Sequence, residues 1–489
     1  MTQCKYRSEI GEVQCEEQAL PDSPNGFCIF HEGLENKNID ECMKAFYEKI
    51  ITGKTNFEGF ILKDLNFSQA GITQIGNEDS PIWFNNAKFH GIFLANGIKF
   101  IGFTSFSGAE FHGDADFGNT SFLKEAIFDN AKFFAKADFL LADFFRESRF
   151  SNVSFCETSN YANATFRGPA FFSGAEFSKV AVFRDSVFER GGSFTQAKMD
   201  FALFENSELK NVSFDEINLT NFKFHGAKLK EANLSGAIWK SPWSSPWRKF
   251  ILREDIETSK ARRICKECSA IVIDDSSECD HCGRYFVSID KYFSCPKCNT
   301  KNKSNSKECI NKKCNAIFST KIKNKNLSDG SYRASLFKIA EDVYRNIKLN
   351  LQNEGDYKTA GEFNFNELIM RRKRSFRERN FLDWFFSHLN SKLCGYGERA
   401  DRVITGSLVV IFSLAAMFFI NNAIVKQGFA SYSPDFLECL YFSFVTFTTL
   451  GYGDYAPSQT FQLVATAEAF FGAFMIALFV LVFGRKMLR

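Results

Sequence analysis

Between Phe106 and Met199 the large apolar residues fall at alternating steps of five and six, and sixteen of the eighteen are phenylalanine. From Met199 to Trp239 the step is five throughout, and a small residue usually stands two positions earlier, as in "AKF", "ADF", "AEF" and "ANL". Neither the helical nor the strand period yields this pattern. A solenoid does, because each short repeat buries one large and one small side chain against the next coil. A β-solenoid is therefore expected from about Asn56 to Trp239. Further along, two long apolar runs appear: Val403 to Val425, 23 residues without a charge, and Leu463 to Phe483, 21 residues with one Glu. Each is long enough to cross a bilayer as a helix, the alternative being a pair of buried helices in a soluble domain.

The five-residue pattern resembles the pentapeptide repeat family, A-[DN]-[LF]-x-x, most clearly in "GAKLKEANLSGAIW" at 226–239. That resemblance implies a right-handed, four-sided β-helix. The five-and-six alternation departs from a strict five and predicts looser or differently cornered coils in the middle. Some proteins of that family mimic DNA through an acidic surface. Here residues 54–240 carry 22 Asp and Glu against 19 Lys and Arg, a balance of −3 that is too neutral for mimicry. A rigid scaffold that docks an unidentified cytoplasmic partner is the expectation.

Charge sets the orientation of the apolar runs. "RRKRSFRER" (371–379) precedes the first and "GRKMLR" (484–489) follows the second, whereas the loop between them has Lys426 as its one cation. By the positive-inside rule both flanks are cytoplasmic, so an integral membrane protein of the plasma or cell inner membrane is expected, with both termini inside. The stretch "MTQCKYRSEI" contains no apolar run and predicts no signal peptide. Neither run has an arginine ladder, so a voltage sensor of the usual type is not expected.

Gly-Tyr-Gly occurs twice, at 395–397 and 451–453. The first lies before the first run with charged residues directly after it, and reads as a turn. The second follows "SPDFLECLYFSFVTFTT", an apolar stretch able to dip into a membrane but too short to cross it. The run "YFSFVTFTTLGYGDYAPSQTFQL" with its flanking helices resembles the pore of two-transmembrane potassium channels over roughly a fifth of the chain. The resemblance implies an all-α pore domain with a re-entrant pore helix, a homotetramer in lipid, and K+ as permeant ion. Its selectivity filter would be Thr449, Leu450, Gly451, Tyr452 and Gly453, with Thr448 and Asp454 in support. Carbonyls replace the ion's water there, which demands backbone that glycine tolerates. Leu450 stands where Val or Ile is more usual in such channels. Gly472 is a candidate hinge in the inner helix, or a glycine that packs on a neighbouring helix. Glu468 is costly in lipid and is expected to face protein, snorkelling to the interface being the alternative.

Fifteen cysteines without a signal peptide point to reduced or metal-bound thiols. Cys265-x2-Cys268-x10-Cys279-x2-Cys282 and Cys295-x2-Cys298-x10-Cys309-x4-Cys314 have the spacing of two structural Cys4 Zn2+ sites, small domains of zinc-ribbon type over 262–318, paired in sequence order or interleaved. Cys4-x10-Cys15-x12-Cys28-x2-His31 offers a third, Cys3His set within an N-terminal cap over 1–55. Residues 241–330 carry 18 Lys and Arg against 11 Asp and Glu, net +7. That charge suits an anionic inner leaflet, and nucleic acid is not expected as a partner.

Residues 333–373 read as two helices joined at "EGD", a helical hairpin of the 331–379 linker, and "NFLDWFFSHL" (380–389) as an interfacial helix. No enzyme constellation stands out. The whole reads as a multidomain, non-voltage-gated potassium channel, with a membrane-anchored repeat scaffold carrying a vestigial pore as the alternative.

Overall fold

The computed structural model describes residues 2–8, 14–240, 249–252, 261–264, 271–273, 285–287, 292–294, 301–303, 318–320, 322–323, 330–426 and 433–487. The chain divides into two compact units, Met1–Asp356 and Tyr357–Arg489.

The first unit is built on a β-solenoid of mostly two-residue strands, with longer ones at Ile61–Asn66 and Lys88–Leu94. One coil runs through Thr104–Ser105, Glu110–Phe111, Ala115–Asp116 and Ser121–Phe122, and Ala126–Ile127 then lies parallel and in register on Thr104–Ser105. The same shift of 22 residues pairs Lys132 with Glu110, Ala137 with Ala115 and Asp143 with Ser121. In-register parallel strands lie about 4.8 Å apart. Equivalent side chains are therefore brought to ring-stacking distance: Phe111 and Phe133 stack at 4.5 Å, Phe117 and Phe139 at 4.9 Å, Phe128 and Phe150 at 4.9 Å. Rings from successive faces meet edge-on, as Phe117 does Phe128 at 5.5 Å and 89°. This lattice is what so many phenylalanines build, and the small residues two positions earlier, Ala109, Ala126, Ala131 and Ala142 among them, are buried beside it.

Of the two alternatives drawn from the alternating step, looser or differently cornered coils, the structure has the second: the middle coils keep a constant register and alternate two kinds of corner. A turn whose backbone is left-handed recurs once every eleven residues, at Gly108, Asn119, Asn130, Leu141, Asn152, Asn163 and Gly174, always within a five-residue step, whereas each six-residue step such as 111–117 takes its extra residue in a bend without a left-handed residue. Asparagine and glycine adopt that conformation most readily, so the turn costs little. Where the sequence changes to a constant five, the register shortens to 21 residues (Ala181 on Ala202) and then 20 (Gly192 on Val212).

Both ends of the solenoid are covered. Helix α1 (Ile39–Ile51) turns Cys42, Phe46 and Ile50 inward, and Phe46 meets Phe57 edge-on at 5.2 Å. At the other end lies α2 (Gly330–Asn353). Its Asn350 Nδ2 donates to the carbonyls of Leu229 and Ala232, both at 2.7 Å, and the Glu354 carboxylate just beyond accepts from Leu234 N at 3.0 Å. Open backbone edges are thereby paired, as a solenoid requires. Short strands between 261 and 323 form small sheets, Ala261–Ile264 pairing with Ile271–Ile273 and Ile322–Lys323.

The second unit is helical: α3 (Tyr357–Arg377), α4 (Phe381–Cys394), α5 (Ala400–Ile420), α6 (Phe436–Phe447) and α7 (Gln462–Met487). Helices α5 and α7 are long and apolar enough to cross a membrane, whereas α6 is a shorter apolar helix of 12 residues. The first apolar run does not stay helical to Val425. The helix stops at Ile420 because Asn421 and Asn422 turn the chain, Asn422 with φ 47°, and Ile424–Lys426 then pairs antiparallel with Tyr455–Pro457.

Candidate functional site

The segment between α5 and α7 is built from α6. An Asp435 capping box starts that helix: Glu438 N donates to Asp435 Oδ1 at 2.7 Å and Asp435 N to Glu438 Oε2 at 3.0 Å. Its far end runs into the second Gly-Tyr-Gly without a break. Thr448 Oγ1 donates to Phe444 O at 2.7 Å, and Leu450 N donates back to Val445 O at 3.0 Å. Positive φ then recurs at every second residue: 58° at Thr449, 56° at Gly451 and 79° at Gly453. In an ordinary extended chain successive carbonyls point to opposite sides. Inverting the hand of alternate residues turns them toward one side. A Cβ at Gly451 or Gly453 would meet no atom within 4 Å, so it is backbone conformation and not space that calls for glycine there.

Leu450 and Tyr452 are 57% and 68% exposed in the single chain. Asp454 accepts from its neighbour Tyr455 N at 3.2 Å. The loop between α5 and α7 is also held through Glu438, whose Oε1 accepts from Tyr455 Oη at 2.9 Å and lies 4.0 Å from Lys426 Nζ. Sequence reading passed over Glu438, although the D-x-x-E spacing of a capping box marked it. Glu468 is buried and hydrogen-bonds Ser443 of α6, so it faces protein. Gly472 lies against the end of α6, where an added Cβ would sit 1.9 Å from the Phe447 carbonyl oxygen. That close approach accounts for a glycine by itself.

The other Gly-Tyr-Gly is a turn with φ of 54°, 58° and 82°. The turn is packed, because Tyr396 is buried and its hydroxyl lies 3.0 Å from Ser387 Oγ. Next to it, Glu398 pairs with Arg485 of α7 at 3.4 Å and accepts from Asn364 of α3 at 3.0 Å, while Arg399 pairs with Glu362 of α3 at 2.8 Å. Charged residues after the tripeptide tie the turn to two helices, α3 and α7.

A second site lies at the start of the chain. The ligand atoms of Cys4, Cys15, Cys28 and His31 all fall within 4.8 Å of one another and could hold a metal ion. Cys28 Sγ is 3.1 Å and Cys4 Sγ 3.6 Å from His31 Nδ1, and Cys15 Sγ is 3.9 Å from Cys28 Sγ. His31 Nε2 lies 2.9 Å from the Glu58 carbonyl oxygen, which only accepts. Nε2 therefore carries the ring hydrogen and Nδ1 turns its lone pair to the sulfurs. Tyr6 stacks on the imidazole at 3.8 Å and Phe60 meets it edge-on at 5.2 Å, fixing its plane. Burial pushes the Cys4 thiol up, whereas the hydrogen bond with Cys28 draws Cys15 down to about 4 and raises Cys28. Cys265, Cys268, Cys279, Cys282, Cys295, Cys298, Cys309 and Cys314 lie outside the described residues.

Residues 405–489 match the family model described as "Ion channel", and residues 84–132 match that described as "Pentapeptide repeats (9 copies)". No curated protein matches the chain. Among solved structures it is similar to QnrB1, a plasmid-mediated fluoroquinolone resistance protein, at 16% identity over 34% of this chain and 87% of that one, with a TM-score of 0.15. The chain thus joins a β-solenoid, part of which matches pentapeptide repeats, to a segment that matches the ion channel model and contains two candidate membrane helices.

Proposed function

We propose that four copies of this chain assemble around an axis as a potassium-selective, non-voltage-gated channel, with Thr449, Leu450, Gly451, Tyr452 and Gly453 as the filter. The observation that carries this reading is the alternation of left-handed backbone at Thr449, Gly451 and Gly453, placed at the end of an apolar helix between two candidate spans. Carbonyls turned to one side are what dehydrated K+ needs, and one chain supplies one wall of such a path. Irregular backbone at membrane depth is tolerated where protein or a water-filled cavity surrounds it, as in a pore. Thr448, the C-cap of α6, and Asp454 flank the filter.

In this reading both termini are cytoplasmic, in the plasma or cell inner membrane. The exposed Phe381, Leu382, Phe385 and Phe386 of α4 face the inner lipid surface. The solenoid is a scaffold for a cytoplasmic partner. Structural Zn2+ is held by Cys4, Cys15, Cys28 and His31, because tetrahedral zinc with three sulfurs and one nitrogen sets ligand atoms about 3.5–3.8 Å apart. That range is close to three of the separations found here, 3.1, 3.6 and 3.9 Å, in a set that falls within 4.8 Å. The cysteines of 265–314 hold two further zinc ions.

The test is reversal potential in liposomes under a K+/Na+ gradient, with Gly451→Ala as control. Alanine at φ 56° costs about 1–2 kcal/mol of backbone strain in every copy. A potential near the potassium value, abolished by the substitution, is the expected outcome. A current that does not discriminate K+ from Na+ refutes the filter.

A further inference from the structure

Two contacts join α6 to α7, and each is displaced from the other by four residues on both helices. In the first, Ser443 of α6 hydrogen-bonds the Glu468 carboxyl of α7, and its Oγ lies 3.0 Å from the carbonyl oxygen of Ile411 in α5, so one hydroxyl touches three helices. In the second, one turn along, the Phe447 carbonyl rests on Gly472. Ser443 and Glu468 are 0% and 2% exposed. The line of contact ends at Phe447, and the next residues fold back onto the same helix end, Thr449 N donating to Thr446 O and Leu450 N to Val445 O, each at 3.0 Å. A shift of the last turn of α6 is therefore passed straight to residues 449–453.

The Glu468 side chain is an expensive way to pack two helices. Its Oε2 is buried without a hydrogen-bond partner. A buried carboxyl with an unsatisfied oxygen costs folding free energy, and an apolar residue of similar volume fills such a site more cheaply. A directional bond is what the carboxyl offers and an apolar side chain does not.

We infer that Glu468 and Ser443 are positioning residues for the filter: their hydrogen bond, anchored on the Ile411 carbonyl, sets the height and rotation of α6 and with it ion discrimination. This rests on reading 449–453 as the ion path. Neither residue touches the ion.

The test uses the full chain in liposomes and reads the K+/Na+ permeability ratio for the unsubstituted protein, Glu468→Gln, Glu468→Leu, Ser443→Ala and the Glu468→Leu/Ser443→Ala pair. Glu468→Gln keeps a hydrogen-bonding group of the same shape and holds the ratio within about twofold, whereas Glu468→Leu and Ser443→Ala lower it about tenfold, the effect of one lost buried bond. The double variant is no worse than the worse single one, because both remove the same bond. Should Glu468→Leu fail to fold, Ser443→Ala, which removes a single oxygen, decides. An unchanged ratio in conducting Ser443→Ala overturns the inference. If the unsubstituted protein does not discriminate K+ from Na+, the filter reading itself fails. The clamp is then judged by amide exchange over 443–453, expected about tenfold faster in Ser443→Ala and restored in Ser443→Thr. Equal exchange in all three overturns it.

Discussion

Tyr161 occupies a position in the aromatic lattice where the coils on either side carry Phe139 and Phe183, and it stacks between them at 4.8 and 4.9 Å. Phe150 and Phe172 close the ring edge-on at 5.5 and 5.4 Å. The side chain is fully buried and its hydroxyl has no hydrogen-bond partner. Burial alone pushes the phenol well above its ordinary pKa, so it stays neutral and its cost is that of a lost hydrogen bond to water. An unsatisfied buried hydroxyl costs about 1–3 kcal/mol. Tyr161→Phe removes that cost and keeps the ring contacts. The small void left by one oxygen forfeits dispersion contacts of about 0.1–0.2 kcal/mol each. The net expectation is a gain of about 1–2 kcal/mol. Neighbouring coils stabilise one another, so the gain is read locally as amide exchange over 154–177 in the full chain, about 5–30-fold slower than in the unsubstituted protein. Phe139→Tyr, which buries a second hydroxyl in the same column, exchanges faster by a comparable factor. Equal or faster exchange in Tyr161→Phe, with Phe139→Tyr neutral, would falsify the claim that the hydroxyl is unsatisfied.

Leu141 is left-handed (φ 59°) where the adjoining coils place Asn119 and Asn163, so Leu141→Asn is expected to stabilise the solenoid by about 0.5–1 kcal/mol, seen as a higher thermal midpoint. Cys28→Ser breaks the cluster with Cys4, Cys15 and His31. It should lower bound zinc by about one ion per chain on elemental analysis and expose the segment before α1 to protease. Gly472→Ala drives a Cβ into the Phe447 carbonyl and should destabilise the α6 to α7 contact by about 1–3 kcal/mol, lowering the melting temperature of the protein in detergent. A purely hinge-like glycine would instead change opening and leave the melting temperature alone. Glu398→Gln and Arg485→Gln should each lower that temperature, with the pair giving less than their sum because both break one ion pair.

Periodicity alone determined the solenoid. Five-residue spacing of large side chains is a one-dimensional signal, and each repeat repeats the same local decision. The candidate spans were equally legible, since length and absence of charge are properties of a segment by itself. The same local character made T-L-G-Y-G and the Cys3His spacing visible. The turn chemistry of the middle coils was written in the sequence too, as Asn and Gly every eleven residues, but was masked by the louder phenylalanine pattern.

Tertiary structure decided what depends on residues distant in the chain. The Glu58 carbonyl that orients His31 lies 27 residues away, and the Ser443 to Glu468 bond spans 25. Whether Gly472 bends a helix or admits a carbonyl is likewise a question about its neighbour and not about glycine. The two Gly-Tyr-Gly tripeptides make the point most directly. Each has positive φ at both glycines, yet one exposes its tyrosine and the other buries it beneath Ser387 and Phe365. A tripeptide specifies the backbone it tolerates, and packing around it decides the use to which that backbone is put.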